Sequence, residues 1–216
     1  MTIDMNATMM TVNPFGENMY IVWDDASREA VVIDPGMMRD TEREMVTKFI
    51  GDHQLNVKHI LLSHLHIDHI TGARWLADKT GADVCGSSQD APLGQELPEQ
   101  VAHFRINVEV DPLTVDRDLT DGDTIQLGEE IIQVLHVPGH SPGGLAFYLP
   151  ESNLLFAGDT IFNGSVGRTD LWGGDMAQLI NSIREKILTL PDETVIASGH
   201  GPTTTVADEK RCNPFL

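Results

Sequence analysis

Apolar and polar positions fall into short runs whose spacing switches between strand-like and helix-like. In residues 8–34, Met19-Tyr20-Ile21-Val22-Trp23 and Ala30-Val31-Val32-Ile33 are joined by polar Asp24-Asp25-Ala26-Ser27. That predicts β-structure, closed by a turn at Asp34-Pro35-Gly36. From Thr41 to Asp52 the residues Met45, Val46, Phe49 and Ile50 share one stripe, predicting a helix that ends near Gly51. Val57 to Ser63 reads as a buried strand. Ile70 to Thr80 reads as a second helix, with Ala73, Leu76 and Ala77 inward and Gly81 as its stop. Ala82-Asp83-Val84-Cys85 is a short strand.

Residues 86–118 break the pattern with Pro92, Gly94, Pro98 and Pro112, and carry the acids Asp90, Glu96, Glu99, Glu109 and Asp111. They are expected to form a surface excursion beside a substrate rim. Order returns after the turn Leu119–Asp123. Thr124–Leu127 pairs with Ile131–Leu135 as one hairpin, and Gly144–Leu149 with Leu154–Ala157 as another. Asp175 to Leu190 is a helix capped by Asp175 with Gln178 three residues on. Leu179, Ile180, Ile183 and Ile187 line its inner face, and Pro191 stops it. Thr194–Ala197 is the last strand. There is no internal repeat.

Composition narrows the class. The chain has 216 residues, which suits one α/β domain or two small ones, and 41% of them are hydrophobic, enough for a sizeable core. No apolar run is long enough to span a bilayer, so no membrane role is expected. Met1-Thr2-Ile3-Asp4-Met5 lacks a basic region followed by an apolar stretch, so no secretory signal is read and a cytoplasmic location is expected. Two cysteines, Cys85 and Cys212, make no disulfide framework, and Cys85 is expected to be a small buried hydrophobe. A formal net charge of −19 repels a phosphate backbone, so no nucleic-acid partner is expected.

The chemistry concentrates in His64-Leu65-His66-Ile67-Asp68-His69, at the end of the apolar run through Ser63. Residues two apart in extended backbone share a face, so His64 and His66 can point the same way. Asp68 and His69 are adjacent, which predicts an irregular loop wrapped around a shared centre. Imidazole and carboxylate together suit zinc, and also iron or manganese. Three later apolar runs end alike: in Pro138-Gly139-His140, in Gly158-Asp159 and in Ser198-Gly199-His200. Each delivers a His or Asp directly after a glycine, which lets the backbone crowd a centre. Open α/β folds place ligands at such carboxyl ends of strands.

His64, His66, Asp68, His69, His140, Asp159 and His200 are too many donors for one catalytic zinc, which takes three protein ligands. They fit two divalent metals with Asp159 as the bridging candidate. Metals so held lie about 3.5–4 Å apart and can share a water whose pKa falls towards roughly 7. Asp34 reads either as an ordinary turn residue or as a group orienting a ligand. His53, His59, His103 and His136 read as surface or core histidines.

The motif from His64 to His69, followed by His140, Asp159 and His200 with Asp34 upstream, resembles the metallo-β-lactamase superfamily over essentially the whole chain. That resemblance implies a four-layer αβ/βα sandwich of two mixed β-sheets with helices outside, and residues 1–216 as a single such domain. It implies one metal on His64, His66 and His140 and a second on Asp68, His69 and His200, with Asp159 shared. Within the superfamily, Pro138–Gly143, Ala157–Phe162, Gly167–Asp170 and Asn213–Leu216 resemble the compact bacterial form of the glyoxalase II (hydroxyacylglutathione hydrolase) branch. Larger members add a C-terminal helical domain that helps hold glutathione, and the chain ends too soon after His200 to supply one. Where they carry Gly-His-Glu-Tyr, this chain reads Gly199-His200-Gly201-Pro202, without the tyrosine that contacts glutathione. Arg168 sits where they carry a basic residue near the thiol substrate, or else is a structural turn arginine.

The expected activity is metal-dependent hydrolysis of small thioesters of the S-lactoylglutathione kind by a monomer, with Asp68 and Asp159 the carboxylates at the reaction centre. A thiolate of pKa about 8.5 leaves without much acid help, and no proton donor beyond the ligands stands out. Two rivals use the same residues. One is another hydrolase of the fold, a lactonase or β-lactamase. The other is a mononuclear iron persulfide dioxygenase on His64, His140 and Asp159.

Overall fold

Alternation along the central strands sorts side chains into layers. The computed structural model describes residues 5–216, so Met1 to Asp4, used above to judge a leader, lie outside the described residues. The first half of the chain runs β1 (Met5–Val12), β2 (Glu17–Asp24), β3 (Glu29–Ile33), α1 (Asp40–Asp52), β4 (Asn56–Leu61), α2 (Ile67–Ile70) and α3 (Ala73–Thr80). It continues through β5 (Asp83–Gly86), α4 (Ala91–Gln95), α5 (Leu97–His103) and β6 (Arg117–Asp118). These strands form one sheet in the order β1-β2-β3-β4-β5-β6, antiparallel up to β3 and parallel beyond it.

The second half runs β7 (Thr124–Leu127), β8 (Glu130–His136), β9 (Leu145–Leu149), β10 (Leu154–Gly158), β11 (Ile161–Phe162), β12 (Ser165–Val166), α6 (Met176–Ser182), β13 (Val195–Ser198), β14 (Thr204–Thr205) and α7 (Val206–Cys212). Its sheet has the order β14-β13-β10-β9-β8-β7, with β10 and β13 the parallel pair. β11 and β12 form a separate hairpin.

Both faces of each sheet are covered. In β2, Met19, Ile21 and Trp23 pack with Val46 of α1 and Leu76 of α3, while Tyr20 and Val22 face the second sheet against Phe147 and Phe156. In β10, Phe156 joins that middle layer and Leu155 joins Leu179, Ile183 and Ile187 on the far side. The order is helices, sheet, sheet, helices, as expected.

Some elements differ from the sequence pattern. Met45 is 42% exposed, so the buried stripe of α1 narrows to Val46 with half-buried Phe49 and Ile50. The second helix is two pieces, α2 and α3, broken at Thr71-Gly72. There the Gly72 N–H leaves the helix to donate to Pro35 O at 2.9 Å. Residues 86–118 are not only surface. Pro92 and Pro98 occupy first-turn positions of α4 and α5, where no N–H is needed. Leu93, Leu97 and Val101 then form a stripe buried in the first core. The predicted Asp175–Leu190 helix is α6 followed by a wider π-turn over Ile183–Ile187. Asp175 accepts from Gln178 N at 3.0 Å as expected. Cys85 is buried in the middle layer.

Candidate metal centre

Four strand ends converge at one edge of the sandwich. His64 and His66 follow β4, His140 follows β8, Asp159 follows β10 and His200 follows β13. As expected, an irregular loop leaves β4, running over residues 62–66, and the chain then takes the single helical turn α2, which carries Asp68 and His69. Both still reach one centre: Asp68 Oδ2 lies 3.8 Å from His69 Nε2. Two glycines permit the crowding. A Cβ on Gly199 would lie 2.3 Å from Asp159 Oδ1, and one on Gly158, at φ +48°, 2.3 Å from Ser63 Oγ.

Hydrogen bonds behind the cluster decide which ring nitrogen His64, His69 and His140 present. Ser63 Oγ donates to Asp34 Oδ2 at 2.5 Å and lies 2.9 Å from His64 Nδ1. That contact places the His64 proton on Nδ1 and leaves Nε2 bare. Asp34 Oδ2 also accepts from His69 Nδ1 at 3.0 Å. His140 Nδ1 donates to Arg168 O at 2.7 Å. Asp34 therefore orients two rings. The close grouping of Asp34, His64 and His69 is this outer network rather than a third metal position, because both Nδ1 atoms are already engaged.

In front, bare nitrogens face each other. His140 Nε2 lies 3.2 Å from His64 Nε2 and 2.9 Å from His66 Nδ1. Ligands about 2.05 Å from a tetrahedral ion sit about 3.3 Å apart, so these spacings are near those of a metal-binding triad. Asp68, His69 and His200 form a second group, with Asp68 Oδ2 3.2 Å from His200 Nε2. Asp159 stands between the two. Its Oδ2 is 3.8 Å from His140 Nε2 and 3.6 Å from His200 Nε2, and its Oδ1 is 3.4 Å from His69 Nε2. His69 Nε2 and Asp159 Oδ1 are buried without a hydrogen-bond partner. Buried polar atoms rarely go unpaired, and a bound cation would satisfy both. The donor set fits a metal centre.

Electrostatics agree. Burial and then the charge of His140 push His66 down to about 3, and burial with His69 pushes His64 well down, so both rings are neutral donors. Burial would push His69 down too, but Asp159, Asp68 and Asp34 outweigh it and hold its pKa well up. Burial opposes ionisation of Asp159, yet His69, His140 and His200 keep its carboxyl well below the usual range.

Several site residues were not singled out from the sequence. Asp90 is fully buried, accepting from Leu65 N at 3.2 Å, Ser141 Oγ at 2.7 Å and Gly143 N at 2.6 Å. It ties the His64–His66 segment to the His140 loop. Asn13 donates to Asp68 O at 2.8 Å and to Gly36 O at 3.0 Å. Asn18 N donates to Gly199 O at 2.8 Å, and Tyr20 OH to Ser198 O at 2.7 Å, holding the His200 loop. Glu17 bridges His200 through its backbone, and burial holds its unpartnered carboxyl well above the usual range.

Over the cluster opens a cavity of about 400 Å³, walled by Phe15, Ile67, Phe104, Phe162, Val166 and Leu171. Phe15 and Phe104 meet edge-on, ring centres 5.5 Å apart. Arg168 lines this cleft, but its guanidinium is paired with Asp170 at 2.7 and 2.8 Å. Of the other histidines, His53 stacks on Phe49, His136 Nε2 contacts Pro142 O, His59 is half-buried beside Cys85, and His103 is exposed near the cleft mouth.

Five histidines and three aspartates pooled at the edge of a two-sheet α/β sandwich define a metallo-hydrolase site. The chain belongs to the metallo-beta-lactamase superfamily, whose profile matches residues 12–200. It is 39% identical over 214 residues to the hydroxyacylglutathione hydrolase GloC of Haemophilus influenzae, covering 98% of each chain. Among solved structures it is similar to the BLEG-1 B3 metallo-beta-lactamase, with TM-score 0.88 and 35% identity over 98% of this chain and 99% of that one. It is also similar to TTHA1623 in a di-iron-bound form, with TM-score 0.85 and 38% identity over 97% of this chain and all of the other. No helix among the described residues is long and apolar enough to cross a membrane.

Proposed function

We propose that this chain is a binuclear metal-dependent hydrolase of small thioesters of the S-lactoylglutathione kind. The observation that carries it is Asp159 standing between two groups of metal-capable donors, at 3.8 Å from His140 Nε2 and 3.6 Å from His200 Nε2. His64, His66 and His140 would hold one divalent ion, and Asp68, His69 and His200 the other, with Asp159 offering an oxygen to each. Zinc suits the donors; iron and manganese are compatible. Metals bound there would supply Lewis acidity and a water whose pKa is lowered towards roughly 7.

The chain's own groups do the rest. Asp34, Ser63 and the Arg168 carbonyl fix the ring orientations, so little rearrangement is needed during reaction. Asp68 and Asp159 are held ionised beside the scissile position. The aromatic walls limit water around the substrate. No lysine, tyrosine or cysteine lines the cleft. No side-chain acid other than the ligands is therefore placed to protonate a leaving group. A thiolate tolerates that far better than an amide nitrogen. The likeness to a named hydroxyacylglutathione hydrolase supports the same reading.

The likeness to a B3 metallo-beta-lactamase favours β-lactam opening as a second reading. Metal analysis together with hydrolysis of S-lactoylglutathione and of a chromogenic β-lactam tests both. About two metals per chain with thioester cleavage is expected. β-Lactam turnover without thioester cleavage would move the function to the second reading, and one iron per chain with no hydrolysis would refute both.

A further inference from the structure

Beside the metal cleft lies a second groove of about 330 Å³ that shares His66, Phe104 and Leu171 with it. It is built by the segment whose prolines disguise α4 and α5. Leu93 and Phe104 supply apolar surface, and Trp172, 51% exposed, forms an outer wall. Its acidic lining residues are Glu96 and Glu99, both exposed on α5 or at its start, and Gln100 and His103 complete its polar lining beside His66. No lysine or arginine lines it. In the two cavities together Arg168 is the one such side chain, and Asp170 already occupies its guanidinium with two hydrogen bonds.

This arrangement bears on the substrate. A small hydroxyacyl group has too few atoms to extend beyond the metal cleft, so the groove falls to the thiol side of a thioester. We infer that the groove seats an uncharged, apolar thiol arm, and that Glu96 and Glu99 make the enzyme discriminate against thiols bearing carboxylates. The inference rests on the thioesterase reading. It adds that glutathione, with two carboxylates and one ammonium, is a poorer thiol carrier than a neutral amide thiol. Like charges facing each other across an interface cost binding without compensating contacts, and the chain's charge of −19 adds to the repulsion.

The test compares the metal-loaded protein on the same lactoyl group carried by glutathione and by N-acetylcysteamine. A kcat/KM at least about tenfold higher for the neutral carrier is expected. The ratio should shrink as salt screens the acids, and the double variant Glu96→Gln/Glu99→Gln should bring it to within about threefold. Circular dichroism and metal content check that the variant is folded. A readout without turnover uses Trp172. Its fluorescence should respond to S-butyl-N-acetylcysteamine at lower concentration than to S-butylglutathione, and Trp172→Phe should abolish the response. A glutathione ester hydrolysed as well as or better than the neutral one, or a ratio unmoved by the double variant, would overturn the inference and leave the thioesterase reading standing. No hydrolysis of either ester would remove both.

Discussion

Asp90→Asn isolates what one buried carboxylate does for the metal centre without touching a metal donor. Asp90 Oδ2 takes Leu65 N and Ser141 Oγ, and Oδ1 takes Gly143 N. An amide keeps one acceptor oxygen and turns an NH₂ towards the third donor. With the oxygen left on the side of Leu65 and Ser141, the Gly143 N–H faces another donor and goes unsatisfied. Losing a charge-assisted bond and stranding a buried donor costs about 3 kcal/mol. Burial holds the Asp90 carboxyl above its usual range despite three donors, so a neutral amide recovers part of that desolvation, on the order of 1 kcal/mol. The net loss is about 2 kcal/mol, or roughly 4–8 °C in Tm for a chain of this size. Leu65 lies between His64 and His66, and Ser141 follows His140, so the same change loosens three donors. Outer partners of this kind are worth about 10–100-fold in metal affinity. Thermal melts of metal-free protein and competition with a chromogenic chelator measure the two effects separately. If Asp90→Asn matches wild type in both, the buried carboxylate is not the tie between the loops.

Further outcomes follow from the same geometry. Asp159→Ala and His64→Ala should each lose most of the bound metal and nearly all turnover, as read by elemental analysis and ester hydrolysis; wild-type metal content in an inactive Asp159→Ala would argue against a bridging carboxylate. His69 has a raised folded pKa, so its contribution to the metal-free protein is full below the unfolded value of about 6.5 and is lost as pH rises through the folded pKa. Chelator-treated protein should accordingly melt lower at pH 9 than at pH 7, and added zinc should raise Tm more at the higher pH; a melting point indifferent to pH would contradict the raised His69 pKa. Burial pushes the Cys85 thiol up to about 12, while Cys212 is exposed. A thiol-disulfide reagent at pH 8 should therefore titrate one thiol quickly in the folded chain and two after denaturation.

Much of the centre was legible along the chain because strand ends announce themselves. An apolar run followed by Gly and then His or Asp is a local pattern, and it recurred at His140, Asp159 and His200 with the denser cluster at His64–His69. The structure brings all of these together at one edge. Asp34 was legible only as a choice between turn and orienting group, and its bonds to Ser63 and His69 decide for the latter. The Arg168 side chain was legible only as a choice between a basic residue near a thiol substrate and a structural turn arginine. Its guanidinium pairs with Asp170 at the cleft wall, while its main-chain oxygen orients His140, a role no side-chain pattern encodes.

By itself, then, the amino-acid order determined the elements whose periodicity is local and the donors that sit next to those elements. Local spacing carries that information because a strand exposes alternate residues and a helix every third or fourth. Tertiary structure decided the rest. Asp90 meets Gly143 and Asn13 meets Asp68 across 53 and 55 positions of sequence, and Asn18 meets Gly201 across 183. It also decided that Leu93, Leu97 and Val101 are core rather than surface, since Pro92 and Pro98 break a helix only away from its first turn. Which nitrogen of His64, His69 and His140 faces the cluster was set the same way, by partners that only the tertiary fold brings within hydrogen-bond reach.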